Sequence, residues 1–193
     1  MEQISETVAI ISGGEPIPAG FEDSIKIALL GSSDLNPMQT NDWQSKFAQG
    51  LALITNTEPG KGIIMYRGMK FLILNCKSWN PANPTMDFNN PEFVNKVGYD
   101  LEMADAADCI FYNFLKKSTA LNPMIEFALT ARTGKMICRC PIEYQNYAYV
   151  RLICERYNIP LLPGATTSVL SVLQTMYAFI PKFQEIQRFQ LPI

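Results

Sequence analysis

A carboxylate set among apolar residues near the start of a helix is the first place to look for chemistry in this sequence. Glu126 has Met124, Ile125, Phe127, Ala128 and Leu129 around it, and Asn122-Pro123 just ahead supplies a cap and a first-turn proline. Desolvation there raises a carboxyl pKa while the helix dipole lowers it, and such a group acts as a nucleophile or a base. On spacing alone the plainer reading is a glutamate facing solvent between two core-facing positions. The chain has no histidine. That removes the commonest general base, every Ser-His-Asp or Cys-His arrangement, and every metal site built on imidazole. Chemistry must rest on carboxylates, Tyr, Lys or Cys. Cys138-Arg139-Cys140 alternate along a strand, so both thiols face one side, but two further metal ligands are missing nearby. Buried small side chains are the better reading of that pair. Gly31-Ser32-Ser33 has the spacing of neither a dinucleotide nor a P-loop fingerprint.

The elements that must position these residues are legible in the pattern of apolar runs. Thr7–Ile11 reads as an edge strand, and Ile25–Leu30 as a buried parallel strand ending in the Gly31-Ser32-Ser33 turn. Trp43, Phe47, Leu51 and Ile54 recur at helical spacing. Ile63–Tyr66 suits a short extra strand, Lys70–Asn75 a core strand, and Ser78–Pro91 a long irregular loop. Pro91 opens a helix bearing Phe93, Val94, Val97, Leu101 and Ala104 on one face. Cys109–Leu115, Met136–Cys140 and Ile159–Leu162 are further strands, with helices after Asn122, over Tyr144–Tyr157 and from Gly164 to Tyr177. Strands alternating with helices predict an α/β fold, a flavodoxin- or Rossmann-like three-layer sandwich around a central, mostly parallel five-stranded sheet. The expected organisation is an N-terminal edge strand and loop (1–24), the α/β domain (25–163), and a C-terminal helix and tail (164–193). Ligands of such sheets bind beyond the carboxyl ends of the strands. Gly31-Ser32-Ser33, Asn75 to Trp79, Ser118-Thr119 and Glu126 all fall there.

Composition narrows the function. With 193 residues, 48% hydrophobic and 18% charged, the chain reads as globular. A net charge of −2 leaves no basic footprint for nucleic acid. Five cysteines without framework spacing, and an opening lacking a signal-peptide pattern, predict free thiols in a reducing cytoplasm. The longest apolar stretch, Gly62–Cys76, is interrupted by Arg67 and Lys70, and no membrane role is expected. Past Pro181 the tail carries Phe183, Ile186, Phe189 and Leu191, and Ile180 just before it, with no later element to cover them. That predicts a homodimer or larger homo-oligomer.

One ordered series of residues goes further. Gly31-Ser32 follows an apolar strand, Trp43 stands early in the next helix, and Asn75, Trp79 and Phe93 come next. Then come Asp100-Leu101-Glu102-Met103-Ala104, Ala107-Asp108, Glu126, Gly134-Lys135 and Asn146. Over Ile25 to Leu162 this order resembles the nucleoside 2-deoxyribosyltransferase-like superfamily, which includes nucleotide N-glycosidases. The resemblance implies a retaining reaction with no metal or cofactor. A glutamate, here Glu126, attacks the anomeric carbon of a deoxyribosyl group, expels the base and forms a covalent ester. It also implies Asp108 as the proton-transferring partner, and Gly31, Ser32, Ser33, Asn75, Trp79, Asp100 and Asn146 as substrate-binding residues. Plainer roles exist for these helpers, as turn residues, a junction cap or a surface charge.

The series departs from the family pattern in places. The transferases' first-strand Tyr is Ala28, the acid six residues before the nucleophile is Ala120, and the usual Glu-Leu-Gly is Glu126-Phe127-Ala128. Asn75-Cys76-Lys77-Ser78 replaces an Asn-Pro-Arg-Arg form. These changes leave transferase, hydrolase and substrate open. A non-catalytic nucleotide sensor on the same fold is the alternative, and a purely structural role a third.

Overall fold

The computed structural model describes residues 2–12, 15–32, 43–56, 66, 69–75, 89–119, 121–164 and 168–183. They form two compact units, Met1–Leu29 with Ser33–Ala107, and Leu30–Ser32 with Asp108–Ile193. The class is the α/β one expected, mostly parallel strands with helices, and among the described residues each unit carries three parallel strands, six rather than five.

The first unit holds β1 (Glu2–Gln3), β2 (Val8–Ile11), most of β3 (Ile25–Gly31), α1 (Trp43–Thr55), β4 (Phe71–Asn75) and α2 (Pro91–Ala106). Its strand order is β1-β2-β4-β3. β2 is therefore not an edge strand. The N–H groups of Ile4 and Ser5 both donate to the Val8 carbonyl, which folds the chain back so that β1 lies antiparallel outside β2. β2 in turn pairs parallel with β4, Val8 opposite Phe71, and β4 with β3, Leu29 opposite Asn75. Continuous apolar runs made these strands readable because both faces are covered: Val8, Ala9, Ile27, Ala28, Leu29, Phe71, Leu72 and Ile73 are all fully buried.

α1 buries Trp43, Phe47, Leu51 and Ile54 at the spacing of one helical face. A polar contact between buried groups joins it to the strand region, where the Thr7 and Thr55 hydroxyls lie 2.7 Å apart. Of the expected strand 63–66 only Tyr66 falls among the described residues, and it is buried.

α2 starts at Pro91 because Asn90 caps it, its side-chain oxygen accepting the Glu92 N–H at 3.0 Å. Asn90→Ala is expected to lower stability by about 1 kcal/mol. An unchanged urea midpoint would show that the cap contributes nothing to stability.

The second unit holds β5 (Cys109–Asn113), α3 (Asn122–Thr130), β6 (Met136–Cys140), α4 (Tyr147–Tyr157), β7 (Leu161–Pro163) and α5 (Val169–Phe179). β5, β6 and β7 run parallel in that order. α3 is clamped to the sheet by aromatic rings. Phe127 lies edge-on to Tyr112 at 5.2 Å and to Phe114 at 5.3 Å, and Phe114 also meets Tyr144 at 4.9 Å.

The tail corrects one expectation. Ile180 is 1% exposed and Phe183 0%, the latter with its ring 5.1 Å from that of Tyr177. A turn at 181–183 folds these side chains back into the unit after α5 ends. Ile186, Phe189 and Leu191 lie outside the described residues.

Candidate active site

The second unit brings together the residues with chemical potential. β3 ends at Gly31, whose φ of +123° only glycine adopts without strain. A Cβ there would stand 2.1 Å from the Asn113 carbonyl oxygen, so the two backbones touch. That approach lets the Ser32 N–H donate to the Asn113 carbonyl at 2.9 Å. Gly31 was read as a substrate-facing turn, and its evident task is this close backbone packing. Ser32 beside it is fully buried.

Asn113 ends β5 and pairs in register with Arg139 of β6. Its Oδ1 accepts the Arg139 Nε–H at 2.7 Å. Its Nδ2 is buried with no hydrogen-bond partner among the described residues. Arg139 is half-buried, and desolvation lowers its guanidinium below the usual arginine value. Neither residue was singled out from the sequence for this role. The signal available was a polar residue inside each of two apolar runs, Asn113 in Cys109–Leu115 and Arg139 in Met136–Cys140.

Glu126 sits in the second turn of α3 and is half-buried. Its setting is less apolar than expected, since Ile125, Ala128 and Leu129 are exposed and only Phe127 of its neighbours is buried. What desolvates this region is the aromatic cluster. The Tyr112 hydroxyl donates to the Pro123 carbonyl. Burial pushes its phenol well above the usual tyrosine range, and the negative charge of Glu126 adds to the rise. The group near Glu126 is therefore a neutral phenol on β5, whose proton goes to the Pro123 carbonyl in the first turn of α3.

Asp108 is not part of this constellation. It immediately precedes β5, at the amino end, where the neighbouring strand is entered through Lys135. A five-residue strand separates its two ends by roughly 15 Å, so Asp108 does not stand at the carboxyl edge. The helix-to-strand junction at Ala107-Asp108 already implied that end. Asn146 precedes α4, half-buried, and its side chain partly offsets the rise that burial imposes on the Tyr144 phenol. Asn75 and Asp100 belong to the first unit, Asn75 ending β4 with a buried Oδ1 that has no hydrogen-bond partner among the described residues, and Asp100 buried within α2. Ser33 and Trp79 lie outside the described residues.

Cys138 and Cys140 are buried thiols raised by desolvation, Cys138 further by its contact with Cys154, and Cys140 reaches about 12. Among the described residues no cluster of three or more His, Cys, Asp or Glu is placed to hold a metal. No helix among them is long and apolar enough to cross a membrane.

Glu126 thus stands half-buried on the helix that follows β5. Sequence comparison names the class: the family model described as nucleoside 2-deoxyribosyltransferase like matches residues 25–144, more than half of the chain. The chain belongs to that family. The match includes Gly31, Asn113, Glu126 and Arg139. No curated protein matches the sequence significantly.

Proposed function

We propose that the chain cleaves or transfers the N-glycosidic bond of (deoxy)nucleosides or nucleotides, with Glu126 as nucleophile. The observation that carries this is the half-buried Glu126 carboxyl group on the helix after β5, beside the neutral Tyr112 phenol. A Glu126 oxygen attacks the anomeric carbon as the bond to the base breaks. The bond's electron pair leaves with the base, which takes up a proton, and a glycosyl ester remains on the enzyme. Water or a second base then attacks the same carbon, loses a proton and restores the carboxylate. Tyr112 is a positioning residue, holding the first turn of α3 through Pro123.

Incubation with a panel of deoxynucleosides and deoxynucleotides, followed by chromatography, is expected to show free base. Release from none of them would sink the catalytic reading. A second reading, a nucleotide sensor on the same fold, is favoured by the position of Asp108 at the far end of β5.

The reading includes a cytoplasmic location, supported by the free thiols of Cys109, Cys138, Cys140 and Cys154. It also includes a homo-oligomer. Leu121, just before α3, and Ile125 and Leu129 on it follow one another at four-residue steps and are 69%, 50% and 62% exposed. This stripe replaces Ile180 and Phe183 as the proposed contact. Sedimentation at micromolar concentration is expected to give at least a dimer, weakened by Leu129→Glu. A monomeric wild-type mass would overturn it.

A further inference from the structure

Asn113 and Arg139 are register partners, so their side chains stand on one face at the carboxyl ends of β5 and β6. Arg139 offers only donors, so the Asn113 amide must turn its oxygen toward it. That fixes the amide orientation and leaves the NH2 group as the orphan, on a residue with 0% exposure. Arg139 spends its Nε on this bond, and no carboxylate lies within ion-pair distance of it among the described residues. A buried donor without an acceptor and a half-buried cation without a counter-charge both cost stability. Both costs are relieved by one occupant, an anion rich in acceptor oxygens.

We propose that Asn113 Nδ2 and the two terminal nitrogens of Arg139 bind the phosphate of a nucleoside monophosphate. This rests on the reading of the chain as an enzyme of nucleosides or nucleotides, and it narrows the substrate to the phosphorylated ones. The planar guanidinium fork suits bidentate contact with a phosphate, as an ammonium does not. Placement agrees. Tyr112 and Asn113 are consecutive in β5 and so point to opposite faces. The Glu126–Tyr112 group thus flanks the strand end on one side and the Asn113–Arg139 pair on the other. A ligand seated across that end meets both, its sugar at the carboxylate and its anion at the guanidinium.

The test is calorimetric titration of the Glu126→Gln protein with the four 2′-deoxynucleosides, their 5′-monophosphates, inorganic phosphate and acetate. At least one monophosphate is expected to bind ~10- to 100-fold tighter than its nucleoside, the range of charge-assisted hydrogen bonds. Adding Arg139→Gln should erase that preference, and Arg139→Lys should restore only part of it. Equal binding of nucleoside and monophosphate by the protein with Arg139 intact would overturn the proposal without any variant at that position having to fold. So would a preference that survives Arg139→Gln, or acetate competing as well as inorganic phosphate does. The two readings fail separately. Base release from nucleosides and monophosphates with equal kcat/KM overturns the phosphate site and leaves Glu126 in place. Arg139-dependent monophosphate binding with no base released from any substrate sustains the site and overturns the catalytic reading.

Discussion

Glu126→Gln is expected to fold like the wild type and to turn over at least ~10⁴-fold more slowly, the scale of losing a nucleophile. The amide keeps the shape and hydrogen-bonding capacity of the carboxyl group, and the Thr130 hydroxyl still donates to the residue-126 carbonyl at 2.8 Å. What the amide lacks is the negative charge that attacks the anomeric carbon. With a slow acceptor, wild-type protein should accumulate a deoxyribosyl mass on the peptide containing Glu126, and the variant should not. Wild-type turnover by Glu126→Gln would remove the residue from the mechanism.

Gly31→Ala is expected to be the most damaging small substitution in the chain. The added Cβ has no soft neighbour to displace, because it meets the Asn113 carbonyl oxygen at 2.1 Å and the Asn113 amide nitrogen at 2.8 Å. The backbone at φ +123° is also one that L residues rarely adopt. Strain of ~1–3 kcal/mol from the dihedral alone, with the clash added, puts the loss above about 3 kcal/mol. Gly98→Ala provides the opposite sign as a control. It lies within α2 with nothing within 4 Å of its added Cβ, so alanine should stabilise by roughly 0.5–1 kcal/mol. Urea midpoints that leave Gly31→Ala equal to wild type would contradict the close backbone contact.

The strands were legible because parallel strands covered on both faces appear as unbroken apolar runs. Ile25–Leu30, Lys70–Asn75 and Met136–Cys140 fall within a residue of β3, β4 and β6. The outer strand was placed at an edge because nothing in Glu2-Gln3 announces a strand. Only the paired turn donors at Ile4 and Ser5 reveal it. At the site, Glu126 was legible through the family order, but Asn113–Arg139 was not, since a polar pair across two strands depends on register. Asp108 was drawn toward Glu126 by the family pattern against its own position in the chain, which begins a strand. Ile180 and Phe183 looked uncovered because a chain that folds back after a proline leaves no periodic signal.

The membership of Leu30–Ser32 in the second unit has a consequence for how the protein is made and cut. That unit is not a contiguous stretch of gene, so no truncation starting at Asp108 can contain all of it. Such a fragment loses the Ser32 N–H donated to the Asn113 carbonyl, which bares the side of β5 as a sticky edge. On the ribosome the same three residues emerge long before their partner strand exists. Their pairing waits for the synthesis of α1, β4 and α2, a non-local contact of the kind that slows folding.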